Sequence, residues 1–330
     1  MKFRERITGA LEATKKGIFI LSTALIVFVA ISNSLLWHME EFWGASKAFF
    51  VEKWAYIYYN FGYENFFMMY ILGTSVVGSI AYISTNLFFG FIDLNASPQF
   101  IKKYKIQDTK NFPVDPVKYK KCLKLSVFNS YVVGFIFLTV SSPIAYWRGL
   151  SCSYQLPTFP QVICQLIVYA LSVELVFYYM HRLFHHRFLY SRIHKIHHEW
   201  TAPISLASVY CHPIEHFFVN LLSTLSGPLI LGSYFNNHVG SVWLWVVMAL
   251  VNSTYTHSGY HLPFVSSNEA HDFHHSRFNQ NFGVLGILDR LHGTDNVFVN
   301  SIEYKRNIIL MGLSSAKEVV PDDKKMKMTN

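Results

Sequence analysis

The chain has 330 residues, of which 52% are hydrophobic and only 15% charged, with a formal net charge of +8. Soluble domains usually carry about a quarter charged residues, so much of this surface faces something other than water. The basic residues form no aromatic-interleaved patch, which argues against nucleic acid. They gather in loops beside long uncharged runs, where membrane orientation is set.

The first run, residues 17–37, follows a basic start (Lys2, Arg4, Arg6, Lys15, Lys16) and is long enough to span a bilayer. No small-residue cleavage site follows it, so it reads as a retained anchor rather than a leader. Residues 40–63 mix Trp43, Phe49, Phe50 and Trp54 with scattered charges and predict an interfacial helix. The second run, 65–92, holds Gly73, Ser75, Gly78 and Ser79, small enough for close helix packing. A lysine-rich loop over 102–124 leads to a third run at 125–147 and, after a short loop, a fourth at 161–180. Glu174 interrupts the fourth; a carboxylate is costly in hydrocarbon and should face protein or the site.

The uncharged stretch 217–256 is too long for one crossing, and its Gly232–His238 turn predicts a helical hairpin. Counting crossings puts the basic start, the 102–124 loop, 181–216 and 257–330 on one side, the cytosol by the positive-inside rule. The fold class is therefore all-α: a polytopic membrane helical bundle with a histidine-rich helical cap at its cytosolic face. Three parts follow: membrane helices and basic loop over 1–124, a part over 125–312 that holds the later membrane spans and the histidine-rich segments, and a solvated tail over 313–330. Four scattered cysteines form neither a disulfide framework nor a cysteine zinc site, and read as small buried hydrophobes.

Of sixteen histidines, fifteen lie between His181 and His292. His181 and His185 form HRLFH; His194, His197 and His198 form HKIHH; His212 and His216 form HPIEH; His257 and His261 form HSGYH; His271, His274 and His275 form HDFHH. On a helix, residues three and four apart share a face, so each cluster aims imidazoles at one point. A lone histidine such as His38 or His238 is ordinarily hydrogen-bonded core. Five clusters on one side of a membrane call for metal. One first-row ion takes four to six ligands, so this many imidazoles implies two ions. Imidazole suits zinc, copper, iron and nickel alike, and the ligand type leaves the choice open.

The set HRLFH, HKIHHEW, HSGYH and HDFHH, with HEWTAP, YCHPIEH and FNQNFGVLGILDRLHGTD as linking segments, resembles the membrane fatty acid hydroxylase and sterol desaturase superfamily, its sterol 4-methyl oxidase branch most of all. The resemblance covers the C-terminal half at high specificity and the N-terminal half only as membrane helices. It implies a di-iron centre in the endoplasmic reticulum membrane that activates O₂, with electrons from NAD(P)H through a cytochrome b5-type donor. Carried over by position, the ligands are His181, His185, His194, His197, His198, His257, His261, His271, His274 and His275. The one departure from the family pattern is the last residue of HSGYH, His261. His212 and His216 are ligands or an outer layer that holds ligands in place. His186 and His292 read as structural or as part of an outer layer behind the ligands, rather than as ligands.

Glu199 and Asp272 are read as carboxylates fixing ligand tautomers, while Glu215 and Asp289 stay unassigned between that role and ordinary capping or surface charge. Asn281, Phe282, Gly283 and Gly286 predict a turn returning the chain to the membrane surface. The resemblance implies hydroxylation of a membrane lipid, a 4-methyl sterol first and a fatty acyl or sphingolipid substrate second. Desaturation by the same site, or a non-catalytic metal-holding scaffold, are the rival readings.

Overall fold

The computed structural model describes residues 2–63 and 65–322. The chain divides into two units, Met1–Tyr59 and Asn60–Asn330. The first is one helix, α1 (Lys2–Ile57), whose Leu21–Phe42 stretch is long and apolar enough to cross a membrane. Its apolar side chains, among them Phe19, Leu25, Phe28 and Leu35, are exposed. The helix does not end near residue 37 to begin a separate interfacial helix. The first proline is Pro98, and Gly44 alone does not break the hydrogen-bond ladder, so the turns continue to Ile57. The side chains of Lys2, Arg4, Arg6, Lys16 and Trp43 lie outside the described residues.

The second unit supplies five more helical stretches of membrane-crossing length. A π-turn at Met68–Gly73 runs into α2 (Thr74–Asn95). Next, α3 (Pro116–Phe128) starts on Asp115, whose side chain accepts from Val117 N, and continues through a second π-turn into α4 (Gly134–Trp147). A capping box of Thr158 and Gln161 starts α5 (Phe159–Phe184), and the short α6 (Arg187–Arg192) follows it. The predicted hairpin is α7 (Pro213–Glu215) and α8 (Leu222–Leu231), a turn at Gly232 with φ +60°, and α9 (Val239–Thr256). Four short helices complete the unit: α10 (Glu269–Arg277), α11 (Ile287–His292), α12 (Ile302–Arg306) and α13 (Ala316–Val319).

Small residues set the helix approach. A Cβ on Gly73 would fall 2.1 Å from Trp243 Cζ2, and one on Gly78 would sit 3.4 Å from Val246 and Leu250, so both glycines admit α9 against α2. Among the described residues there is no sheet, only isolated bridges at Lys105–Tyr260 and Ser151–His238.

Those bridges mark opposite ends of the helices. At one end Ser151 N donates to Asn237 O and Arg148 Nη2 to Ile230 O. At the other, Ile106 N donates to Gly259 O and His261 N to Tyr104 O. The loop after α2 and the segment after α9 therefore share a side. Beneath that side Trp200, Ile204, Leu206 and Tyr210 pack on Tyr82 and Cys122, a floor for the histidine segments. All four cysteines are free thiols.

The stretch expected to be a solvated tail is docked over its described part. Tyr104 Oη donates to Leu313 O, Ala316 is buried, and Arg306 Nη2 pairs with Asp322 at 2.8 Å. Residues 323–330 lie outside the described residues.

Candidate metal centre

Nine histidines converge into two adjoining pockets. His181, His185, His194, His198 and His274 form one; His197, His257, His271 and His275 form the other. Within each, one nitrogen per residue lies within 4.8 Å of all the rest. Rings of the two pockets touch, His198 and His275 at 5.0 Å between centroids and His194 and His197 at 5.5 Å.

The helical repeat explains how four segments feed two pockets. His181 lies on the last turn of α5 and His185 caps it, four residues on, with ring centroids 4.9 Å apart. His194 and His198, again four apart on a 3₁₀ turn, join them, while His197 between them faces the second pocket. Helix α10 does the converse: His271 and His275 enter the second pocket, and His274 the first. His257, capping α9, completes the four. Each HxxHH motif thus gives its outer pair to one pocket and its middle histidine to the other.

The hydrogen bonds behind the rings fix their tautomers. Nδ1 of His181 donates to Phe282 O (2.8 Å), of His197 to Tyr210 O (3.2 Å), and of His257 to Ser253 O (2.8 Å). His274 Nδ1 donates to Gln280 O (2.6 Å) and His275 Nδ1 to Trp200 O (3.1 Å). His194 Nδ1 donates to a carboxylate, Glu215 Oε1, at 2.7 Å. With Nδ1 carrying the hydrogen, Nε2 of each points a lone pair inward.

Those inward nitrogens crowd one another. His185 and His194 Nε2 lie 2.8 Å apart, His194 and His198 3.0 Å, His257 and His271 2.9 Å, and His271 and His275 3.1 Å. His274 Nε2 is buried and has no hydrogen-bond partner. At least one nitrogen of each close pair (His194, His257 or His275) is held as an acceptor, and a cation among them would satisfy these lone pairs together. The donor set therefore fits a metal ion in each pocket, five imidazoles for one and four for the other.

Protons are poor substitutes. Burial, and then the neighbouring histidines, lower His197 to about 4 and His257 to about 3, and hold His194, His271, His274 and His275 well below the ordinary range. Neutral imidazole is the form that binds metal. Seven of the nine are buried; His185 and His271 alone are half-buried, with the Tyr190 ring tilted against His185 and His198 and the Phe278 ring edge-on to His198.

The fatty acid hydroxylase family model matches residues 166–294, the stretch that holds all nine histidines. The chain is 42% identical to fatty acid hydroxylase domain-containing protein 2 of Macaca fascicularis, across 97% of this chain and 93% of that one. The chain belongs to the fatty acid hydroxylase family. Methylsterol monooxygenase 2-2 of Arabidopsis thaliana is 29% identical over 79% of this chain. Very-long-chain aldehyde decarbonylase GL1-11 of Oryza sativa subsp. indica is 31% identical over 60%. No solved structure matches the chain.

Against this geometry, several expectations change. His261 does not join the others. Its Nε2 donates to Ile308 O at 2.9 Å and its Nδ1 lies 3.5 Å from Glu269, because Gly259, at φ +72°, turns the chain away from the axis of α9 after His257. The HSGYH spacing mimics one helical turn, but the helix ends at Thr256. His212 caps α7, accepting from Ile214 N, and His216 accepts from Asn220 Nδ2; neither enters a pocket.

Among the described residues, the expected carboxylates Glu199 and Asp272 bond no histidine of either pocket. Glu199 accepts from Tyr210 Oη and pairs with Lys121 at 2.7 Å. Asp272 accepts from Gln107 Nε2 and is raised to about 7 by burial. Each follows a ligand directly in sequence, and neighbours on a helix point about 100° apart. Glu215 holds the position instead. HPIEH was notable for its histidines, yet its glutamate is the residue that reaches the site. His186 caps α6, His292 bonds Leu288 O and Tyr179, and buried His238 bonds Ser153 O, all structural positions.

Proposed function

We propose that this protein is a di-iron lipid monooxygenase, and that its nine converging histidines hold the two ions. The observation that carries this reading is the pair of all-imidazole pockets at the ends of membrane-length helices. The balance R–H + O₂ + 2e⁻ + 2H⁺ → R–OH + H₂O needs two electrons from outside. Iron held in the pockets would supply the redox chemistry of O₂ activation; the protein supplies placement and exclusion of water.

Each part of the chain has a definite task in that scheme. Backbone carbonyls and Glu215 keep the Nδ1 hydrogens on the outer side, so the inward nitrogens stay free for metal. Burial keeps the imidazoles neutral. The floor of Trp200, Ile204 and Leu206 closes the site on one side. The working unit is read as residues 125–312 behind the membrane part at 1–124, with the pockets and the lysine-rich loop facing the cytosol from the endoplasmic reticulum membrane. A cytochrome b5-type carrier fed by NAD(P)H would deliver electrons there.

The substrate reading is a sterol oxidised at a 4-methyl group, supported by the likeness to a methylsterol monooxygenase; a fatty acyl or sphingolipid chain is the second. Either reaches the pockets sideways without leaving the bilayer. The test is purified protein in lipid nanodiscs, assayed for iron and for products by mass spectrometry. About two irons and a product heavier by one oxygen support the reading. A product lighter by two hydrogens makes it a desaturase, and turnover without iron ends it.

A further inference from the structure

Glu174 is an acid inside a membrane-length helix, and it is 3% exposed. It faces one loop. Its Oε2 accepts from Val284 N (2.9 Å) and Leu285 N (2.7 Å), and its Oε1 from Leu288 N (3.0 Å). A second buried acid, Asp289, grips the same loop, accepting from Phe282 N (2.8 Å), Gly283 N (2.7 Å) and Thr294 Oγ1 (2.6 Å). Among the described residues neither acid has an ion-pair partner. Five amides and a hydroxyl hold them, and charge-assisted bonds to amides are strong enough to keep a carboxylate buried. The clamp is tight at its centre: a Cβ on Gly283 would lie 2.9 Å from Asp289 Oδ2 and 3.0 Å from Glu174 Oε1, so a larger residue would displace the carboxylates.

What the clamp holds is the back of the five-histidine pocket. Phe282 gives its N–H to Asp289 and takes the Nδ1 hydrogen of His181 on its carbonyl. Two residues earlier, Gln280 takes the Nδ1 hydrogen of His274. The Phe282 ring then stands 5.0 Å from His185. The two acids make no hydrogen bond to a histidine of the four-histidine pocket, three of which hold Nδ1 on Tyr210, Ser253 and Trp200; the loop's one bond nearby is Asn281 Nδ2 to Ala270 O, on the backbone before His271.

We propose that Glu174 and Asp289 are positioning residues for the five-histidine pocket, setting the tautomer and orientation of His181 and His274 through the 280–289 loop. The proposal rests on the two-metal reading. Glu174→Gln keeps the size but turns an amide N–H toward a backbone N–H, so the loop shifts and with it two of five ligands. Loss of such an outer partner costs about 10- to 100-fold in metal affinity.

The experiment titrates metal-stripped full-length protein with Co²⁺, followed by visible absorption and bound-metal analysis, with circular dichroism as a fold control. Wild type takes up two equivalents tightly. Glu174→Gln and Asp289→Asn keep one tight equivalent and weaken the other by about 10- to 100-fold. Equal weakening of both equivalents, or none, overturns the proposal. If one variant fails to fold, the other carries the test; failure of both makes the clamp a fold element and also overturns it. Wild type binding fewer than two equivalents would instead count against the two-metal reading.

Discussion

Glu215 Oε1 receives the Nδ1 hydrogen of His194 at 2.7 Å, and among the described residues no other histidine of either pocket has a carboxylate hydrogen-bonded behind it. Glu215 is 2% exposed, and its second oxygen has no hydrogen-bond partner. With a metal ion bound, a carboxylate behind one imidazole would raise that histidine's basicity and give the five-histidine pocket the more electron-rich donor set.

Changing Glu215 to Gln should therefore lower metal affinity at the five-histidine pocket by about 10- to 100-fold. Competition against a chelator of known affinity measures this. Unchanged affinity would show that the carboxylate is only packed there.

His275 and His261 lie in similar motifs but make different contacts. His275→Ala should remove one ligand of the four-histidine pocket and abolish lipid turnover. His261→Ala should keep both metals and lose about 0.5–1.5 kcal/mol of stability through the lost hydrogen bond to the Ile308 carbonyl. Metal analysis beside thermal unfolding in detergent separates the two outcomes.

Acid should strip the site. His197 and His257 titrate at about 4 and 3 when folded, against 6.5 for a free histidine. Between those values the unfolded chain binds more protons than the folded one, so stability rises with pH. The metal-free protein should lose about 1.4 kcal/mol per pH unit for each such histidine as pH falls from about 6.5 toward about 4. Metal release should follow the same direction, since protons and metal compete for the same nitrogens. Melting temperatures and retained metal, measured between about pH 7.5 and pH 5, should fall together. Flat profiles would contradict the burial argument.

Lys105 and Asp93 form an ion pair at 2.8 Å with both side chains almost wholly buried, and Tyr260 Oη also donates to Asp93. Lys105→Met should cost about 3–5 kcal/mol, because it leaves a buried carboxylate with one donor. Joint replacement of Lys105 and Asp93 by apolar residues should recover much of that loss. Denaturant unfolding of the three proteins provides the comparison.

The sequence by itself determined the membrane helices, the hairpin at 217–256 and the convergence of most histidine clusters. Each of these follows from one-dimensional periodicity: run length against bilayer thickness, and spacing of three or four on a helix. It also marked Glu174 as an acid that must find partners inside protein. What it could not carry was the state of a helix at its last turn. HSGYH has ligand spacing, but α9 stops before it and Gly259 turns His261 away. Likewise Glu199 and Asp272 stand next to ligands in the chain and point elsewhere in space. Glu215, twenty-one residues from His194, reaches it because α7 folds back over the site. The division of nine histidines into groups of five and four was decided only by tertiary structure, since motif spacing gives the direction of an imidazole from its own helix and not the point where separate helices cross.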